Sequence, residues 1–172
     1  MKKRIAFIGI ITTALLTISS ALYAQKGSGA IGLRATPDGG GFTIKAFMSP
    51  HLAFEGQMNV GNIYGGESFT AVALLEGHIV MPDPSWRVIL GGGLHGGVWD
   101  NGRWYRQSEG VWVYDRPEPI FGIDAIGGAE YVFKKIPLGL SADIKPAVNF
   151  TSRGPEFFSH NMFGLAARYY FR

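Results

Sequence analysis

The sequence contains no cysteine, which excludes a disulfide scaffold, a cysteine-based zinc site and a lipidated N-terminal cysteine. Beyond the first eighteen residues it has no long apolar run, so no helical membrane span is expected after that point. No segment carries a 3.6-residue period or the start and stop signals of a helix. Net charge is also missing once the N-terminus is set aside. The chain holds 16 Lys plus Arg and 13 Asp plus Glu, and residues 1–24 contribute three basic residues and no acidic one, so the rest carries 13 of each sign. The basic excess therefore gives no argument for nucleic-acid binding, which requires a basic face.

The N-terminus has the layout of a secretory signal peptide. Lys2, Lys3 and Arg4 precede an uncharged apolar stretch from Ile5 to Ile18, followed by Ser19, Ser20 and the run ALYA. Cleavage is expected after Ala24, with Ala21 as the alternative because Leu22 is large for its place before the cut. The organisation expected is a signal peptide at 1–24 and one domain at 25–172. A secreted domain without disulfides must be held by its core or by a membrane.

Hydrophobic residues nevertheless make up 47% of the chain, and they alternate. From Leu138 to Phe150 the even positions are Leu138, Leu140, Ala142, Ile144, Pro146, Val148 and Phe150, and no odd position is bulky and apolar. A period of two marks a strand with one apolar and one polar face, and Pro146, which cannot donate to a ladder, marks a bulge or a strand end. The same alternation recurs around Ile31, Phe42, Phe54, Phe69, Trp86, Phe121 and Phe163, which makes eight candidate strands. Tight connections are expected near Ser49, Asp83 and Lys135. Longer ones are expected at TPDGGG, GNIYGGES, Asp100 to Glu118 and TSRGPEFFSH. Short turns on one side and longer loops on the other are the asymmetry of an outer-membrane barrel.

The charges sort by face. Opposite the apolar positions stand Arg34, Lys45, Arg87, Lys145 and Arg168, together with Glu55, Glu76, Asp124, Glu130 and Asp143. Gln57, Asn59, His78, His95 and Asn149 share those faces. A soluble sandwich would put this polar face in water, whereas a membrane barrel would put it in the lumen. The membrane reading is favoured by the balance of signs, since unpaired buried charge is costly, and by the small residues among the charges. Aromatics near the strand ends (Trp86, Phe121, Tyr131, Phe133, Phe150, Phe163, Tyr169 and Phe171) fit interfacial girdles. Eight strands leave an interior only wide enough for side chains. The expected fold is thus an all-β, eight-stranded antiparallel up-and-down transmembrane barrel, with those ten charged residues forming an ionic network that plugs a polar lumen.

The run GIDAIGGAEYVFKKIPLGLSADIKPAVNF and the closing GLAARYYFR resemble the small outer-membrane β-barrel proteins of the Bacteroidetes type, within the OmpA-like barrel domains. GGAEY, IPL and D-x-KP carry the likeness, which covers the last third of the chain. The resemblance implies an outer-membrane location and assembly by the barrel-insertion machinery through Tyr169 and Phe171, although Arg172 departs from the usual aromatic end.

Catalytic candidates are thin. Ser159 and His160 are adjacent and so face opposite ways, unlike the spaced pair of lipid A deacylases. His78 and His95, near Glu76, have a reading in acid–base or metal chemistry and a plainer one as lumen histidines in the charge network. Glycines 91–93 lack the lysine of a phosphate loop. The aromatic third loop, with Trp99, Trp104, Tyr105, Trp112 and Tyr114 beside Arg103, Arg106 and Arg116, and with Phe157 and Phe158 in the fourth, has the residue types of binding hot spots; the plainer and preferred reading makes Trp99 and Trp112 interface anchors and VWVY an extension of the hairpin above the membrane. No catalytic residue, cofactor, metal or nucleic-acid partner is expected. The expected partners are outer-membrane lipid, the assembly machinery and an extracellular ligand. Two alternatives remain open: an outer-membrane lipid-modifying enzyme, and a soluble secreted barrel binding an apolar ligand.

Overall fold

The computed structural model describes residues 29–63, 66–99, 103–106, 111–114, 118–151, 154–157 and 162–171; the expected signal peptide lies outside them. The strands are β1 (Gly29–Thr36), β2 (Gly39–Ser49), β3 (Leu52–Ile63), β4 (Gly66–Val80), β5 (Trp86–Trp99), β6 (Arg103–Arg106), β7 (Val111–Tyr114), β8 (Glu118–Val132), β9 (Leu138–Ile144), β10 (Ala147–Thr151), β11 (Gly154–Phe157) and β12 (Phe163–Phe171). Neighbours in the chain pair antiparallel from β1 to β5, β5 pairs β8, β8 pairs β9, β9 pairs β12, and β12 returns to β1. The result is a closed eight-stranded antiparallel β-barrel, with no edge left open along that circuit.

The expected break at Pro146 is present. β9 ends at Ile144 and β10 resumes at Ala147, and both keep one register along β8, where Ala125 N–H donates to the Pro146 carbonyl at 2.9 Å. On the other edge the registers either side of the proline differ: Ile144 faces Phe163 and Val148 faces Phe157. Proline has no N–H to donate, which accounts for the interruption between β9 and β10.

At one end of the barrel the turns are tight, as expected. Trp86 N–H donates to the Asp83 carbonyl at 3.0 Å and Phe133 N–H to the Leu138 carbonyl at 2.9 Å. At the other end the segments expected as loops are largely strand. TPDGGG reduces to a turn at Pro37–Asp38, with Gly39–Gly41 already in β2, and GNIYGGES pairs up to Ile63 and from Gly66. The Asp100–Glu118 stretch contains β6 and β7. Their register (Arg103 opposite Tyr114, Arg106 opposite Val111) continues the one that sets Trp99 opposite Glu118. β6 and β7 therefore pair in the register of the β5–β8 hairpin, in keeping with the plainer reading of VWVY as an extension of it. TSRGPEFFSH likewise folds back as β11 on β10. Glycine and proline composition suggested loops, but cross-strand register set by the barrel continues the ladders outward.

Alternation holds in every barrel strand. Outward positions are exposed and apolar: Leu33, Phe42, Leu94, Phe121 and Leu165 are 61–66% accessible. Inward positions hold Lys45, Glu55 and Glu76, each fully buried. A soluble barrel with an apolar interior has the opposite arrangement, so that alternative is overturned by the orientation of the faces. Gly93, within the GGG run of β5, sits where a Cβ would overlap the Ala73 carbonyl of the neighbouring strand, so glycine is required by close backbone approach.

Candidate functional site

The interior is layered. At the tight-turn end Ala30, Phe47, Ala53 and Tyr170 form a buried apolar group. Above it lies the larger ion cluster. Lys45 Nζ stands 2.8 Å from Glu76, 3.1 Å from Glu55 and 3.5 Å from Glu130. Arg168 reaches Glu55 at 2.7 Å and Glu130 at 3.5 Å. Neutral groups complete it: Thr43 and Gln57 donate to Glu55 at 2.7 and 2.9 Å, and Arg168 donates to Ser141 at 2.6 Å. His78 Nε2 lies 3.3 Å from Glu76.

A second cluster sits further along the strands. Lys145 pairs with Asp124 at 2.9 Å, His95 Nδ1 meets the same carboxylate at 2.7 Å, and Arg34 pairs with Asp143. Val72, Leu74 and Ile126 pack together beside these charges, and Trp99 with Ile120 forms a buried apolar pair at the far end. Each charge within these two clusters thus faces an opposite charge, the condition under which an ion survives in a low-dielectric interior.

The ten residues singled out by face are placed as follows. Nine fall in these two clusters. Arg87 lies on the inner face but outside the ion pairs: its guanidinium stacks over the Phe47 ring at 5.6 Å, and its Nε has no hydrogen-bond partner among the described residues. The reason is local. Its cross-strand neighbour Glu130 is already contacted by Lys45 and Arg168, and Phe47 occupies the space at that level. The two histidines go to different carboxylates, His78 to Glu76 and His95 to Asp124, instead of sharing Glu76. Among the described residues no three His, Cys, Asp or Glu side chains gather as a metal site.

Trp99 corrects the reading of the third loop. It is 8% exposed and packs on Ile120 inside the barrel, because it falls on the inward phase of β5. Trp104 and Tyr105 lie in β6, and Trp112 and Tyr114 in β7, with Tyr105 opposite Trp112; their side chains lie outside the described residues, as do Arg116, Phe158, Ser159 and His160 altogether. Phe157, in β11, is 68% exposed. Two residues not singled out from the sequence, Phe47 and Tyr170, close the charged layer from below with their rings. The alternation puts Tyr170 on the face of Arg168, and Phe47 has the parity of Lys45.

Outside the barrel, aromatics pair at two levels. Near the tight turns Tyr131 contacts both Trp86 and Phe133, with ring centroids 5.0 Å apart in each pair, and Phe121 stacks on Phe150 at 5.3 Å near the other end. Beside the lower group, Asp83 pairs with Lys134 at 3.0 Å. The Ser85 backbone N–H, then the Lys134 ammonium, hold its carboxyl below the usual range.

A scan against protein-family models finds no match, and a search of the curated proteins finds no similar chain. Among solved structures, the chain is similar to the N-terminal β-barrel domain of Pseudomonas aeruginosa OprF, with a TM-score of 0.59 and 13% identity over 86% of this chain and 98% of that one. At that identity the likeness carries the fold, a closed eight-stranded antiparallel β-barrel.

Proposed function

We propose that this chain is an integral barrel of a bacterial outer membrane, with a structural or surface-interaction role, no enzymatic activity, no cofactor and no open pore. One observation carries the reading: charge is buried inside while large apolar side chains cover the outside. In water that distribution would be strongly unfavourable, since each exposed large side chain forfeits about 1.5–3 kcal/mol of burial. In lipid it is the favourable one. The height agrees. Phe121 and Tyr131 are ten residues apart on β8, which at about 3.4 Å per residue and a tilt of roughly 40° gives an apolar band about 25 Å tall. The layers of buried side chains across the interior support a closed lumen. The β6–β7 ribbon, with its aromatics and arginines, is the surface offered to an extracellular ligand, and β12 is the strand offered to the assembly machinery.

Fractionation tests the reading. The protein is expected in the outer-membrane pellet, extracted only by detergent, and to migrate faster on a gel unheated than boiled. Recovery in a detergent-free soluble fraction would overturn it. In a planar bilayer the purified barrel is expected to show no sustained conductance, and a steady open channel would refute the closed lumen.

A further inference from the structure

β12 is the strand that closes the ring, and no tight turn joins it to either of its ladder partners. β1 lies at the other end of the described chain, and β9 is separated from it by β10 and β11. Its ladders are also short. They span residues 29–35 of β1 and 138–144 of β9, whereas β4 is paired with residues 52–63 of β3 and 87–99 of β5. A strand with short ladders and no hairpin partner belongs to the low end of local stability. Its release would uncover the edges of β1 and β9, and an open edge templates pairing with another chain.

Inside the barrel, one side chain crosses this strand completely. Arg34 stands on β1 opposite Ala166, and Asp143 stands on β9 opposite Gly164. The Arg34 guanidinium passes over β12 to the Asp143 carboxylate, with Nη2 donating to Oδ1 and Nε to Oδ2 at 3.4 Å. Both residues are buried. Gly164 is the bed for the crossing: the nearest atoms that a Cβ there would meet are Nη2, Cζ and Nε of Arg34, and it would overlap all three. Arg168, on the same inner face of β12, holds the half of the strand nearer the tight turns. It donates to Ser141 on β9 at 2.6 Å and, in the other direction, to Thr43 on β2 at 3.3 Å and Glu55 on β3 at 2.7 Å. Its stem passes Gly32 of β1, where a Cβ would stand 2.8 Å from Arg168 Cγ. The half of β12 nearer Phe163 has the Arg34 crossing in place of such an anchor.

We propose that Arg34, bedded on Gly164 and tied to Asp143, is a strap that keeps the closing strand in the wall and sets how often the β1–β12–β9 sector opens. The strap ties together the two strands that flank β12, so the gap that β12 fills cannot widen while the pair is intact. Opening the sector must separate a buried ion pair, which is costly in a low-dielectric interior. Glycine at position 164 lets the pair form across a strand instead of between neighbours. The strap belongs to the wall itself, so it does not depend on the outer-membrane reading.

Amide hydrogen exchange, resolved strand by strand on the chain folded in detergent micelles, reads the opening of each sector separately. Arg34→Gln should speed exchange of the slow amides of β1, β9 and β12 by at least about ten-fold, while those of β3 to β5 change by less than about two-fold. Gly164→Ala leaves every charge in place and displaces the guanidinium, and it should give the same sector-limited pattern. In the Arg34→Gln background Gly164→Ala should add nothing, because no guanidinium remains to be displaced. Acceleration of all strands together would overturn the proposal, since the pair would then contribute only to global stability. So would unchanged exchange in β12, or a Gly164→Ala effect that persists without Arg34. If Arg34→Gln does not fold, Gly164→Ala decides alone: faster exchange confined to β1, β9 and β12 upholds the strap, and any other pattern overturns it.

Discussion

Lys45→Met should be among the most damaging single changes in the barrel. Methionine keeps most of the side chain's length and removes the ammonium. In the folded protein that ammonium is fully buried and contacts three carboxylates, at 2.8, 3.1 and 3.5 Å. Without it, Glu55 and Glu130 keep Arg168, while Glu76 keeps only His78 at 3.3 Å. Three buried acids then share one guanidinium and one imidazole. Removing one member of a buried pair costs about 3–5 kcal/mol. With a urea slope of about 1–3 kcal/mol/M, the unfolding midpoint should fall by roughly 2 M. The assay is urea unfolding of the barrel folded into lipid vesicles, followed by loss of the fast-migrating unheated band. Adding Glu76→Gln to Lys45→Met removes the stranded charge and should recover about 1–2 kcal/mol, within the usual range of coupling between contacting residues. A midpoint within about 0.3 M of wild type, which at a slope of about 1–3 kcal/mol/M is less than about 1 kcal/mol, would refute the burial argument. So would strict additivity of the two substitutions.

Arg87→Leu should be much milder than Lys45→Met, because it removes a contact with an aromatic ring and leaves no carboxylate stranded; a loss of about 0.5–2 kcal/mol is expected, and a loss equal to that of Lys45→Met would show an ion pair at this position. Trp86 and Trp99 separate the two faces: in single-tryptophan variants brominated acyl chains should quench Trp86, which is 49% exposed, far more than Trp99, which is 8% exposed, and equal quenching would contradict the orientation of β5. The Asp83 carboxyl should titrate by carbon-detected NMR with a midpoint below the ordinary value of about 3.9. Because its folded value is depressed by the Ser85 N–H and Lys134, its contribution to the turn is complete above the unfolded pKa and is lost as pH falls through the folded one. A midpoint at or above the ordinary value would argue against that turn geometry.

The strands and their faces were legible because side-chain direction in a strand depends only on parity. The inward phase of Lys45, Glu55, Asp124 and Arg168 could be read one strand at a time, and so could the break at Pro146. Partnership was not legible. Whether Arg87 or Arg168 reaches Glu130 depends on how strands distant in sequence stagger around the barrel, and that stagger places Phe47 at the level of Arg87. The length of the outer hairpins was legible at VWVY but not elsewhere. Gly39, Gly40 and Gly41 look like loop residues locally, yet the ladder to β1 and β3 orders them as strand. The buried Trp99 followed the parity of β5, while its residue type and its place beside the loop suggested the surface.

The charged interior also bears on how the barrel selects its register. Buried ion pairs contribute little net stability when compared with apolar packing, so ten inward charges are a weak device for stability alone. They are a strong device against error. Sliding β2 by one residue against its neighbours would turn every one of its side chains to the other face. In the proposed membrane setting Lys45 would then point into lipid, at a cost of about 2–4 kcal/mol near the midplane, and Phe42 and Ile44 would enter the lumen. Glu55, Glu76 and Glu130 would lose their shared cation, at a further cost of about 3–5 kcal/mol. Because Lys45 and Arg168 link acids from β3, β4 and β8, a slip in any one of these strands strands charge in the others. The network therefore penalises a misregistered barrel as a whole, which a purely apolar outer face, almost indifferent to which apolar residue occupies it, cannot do.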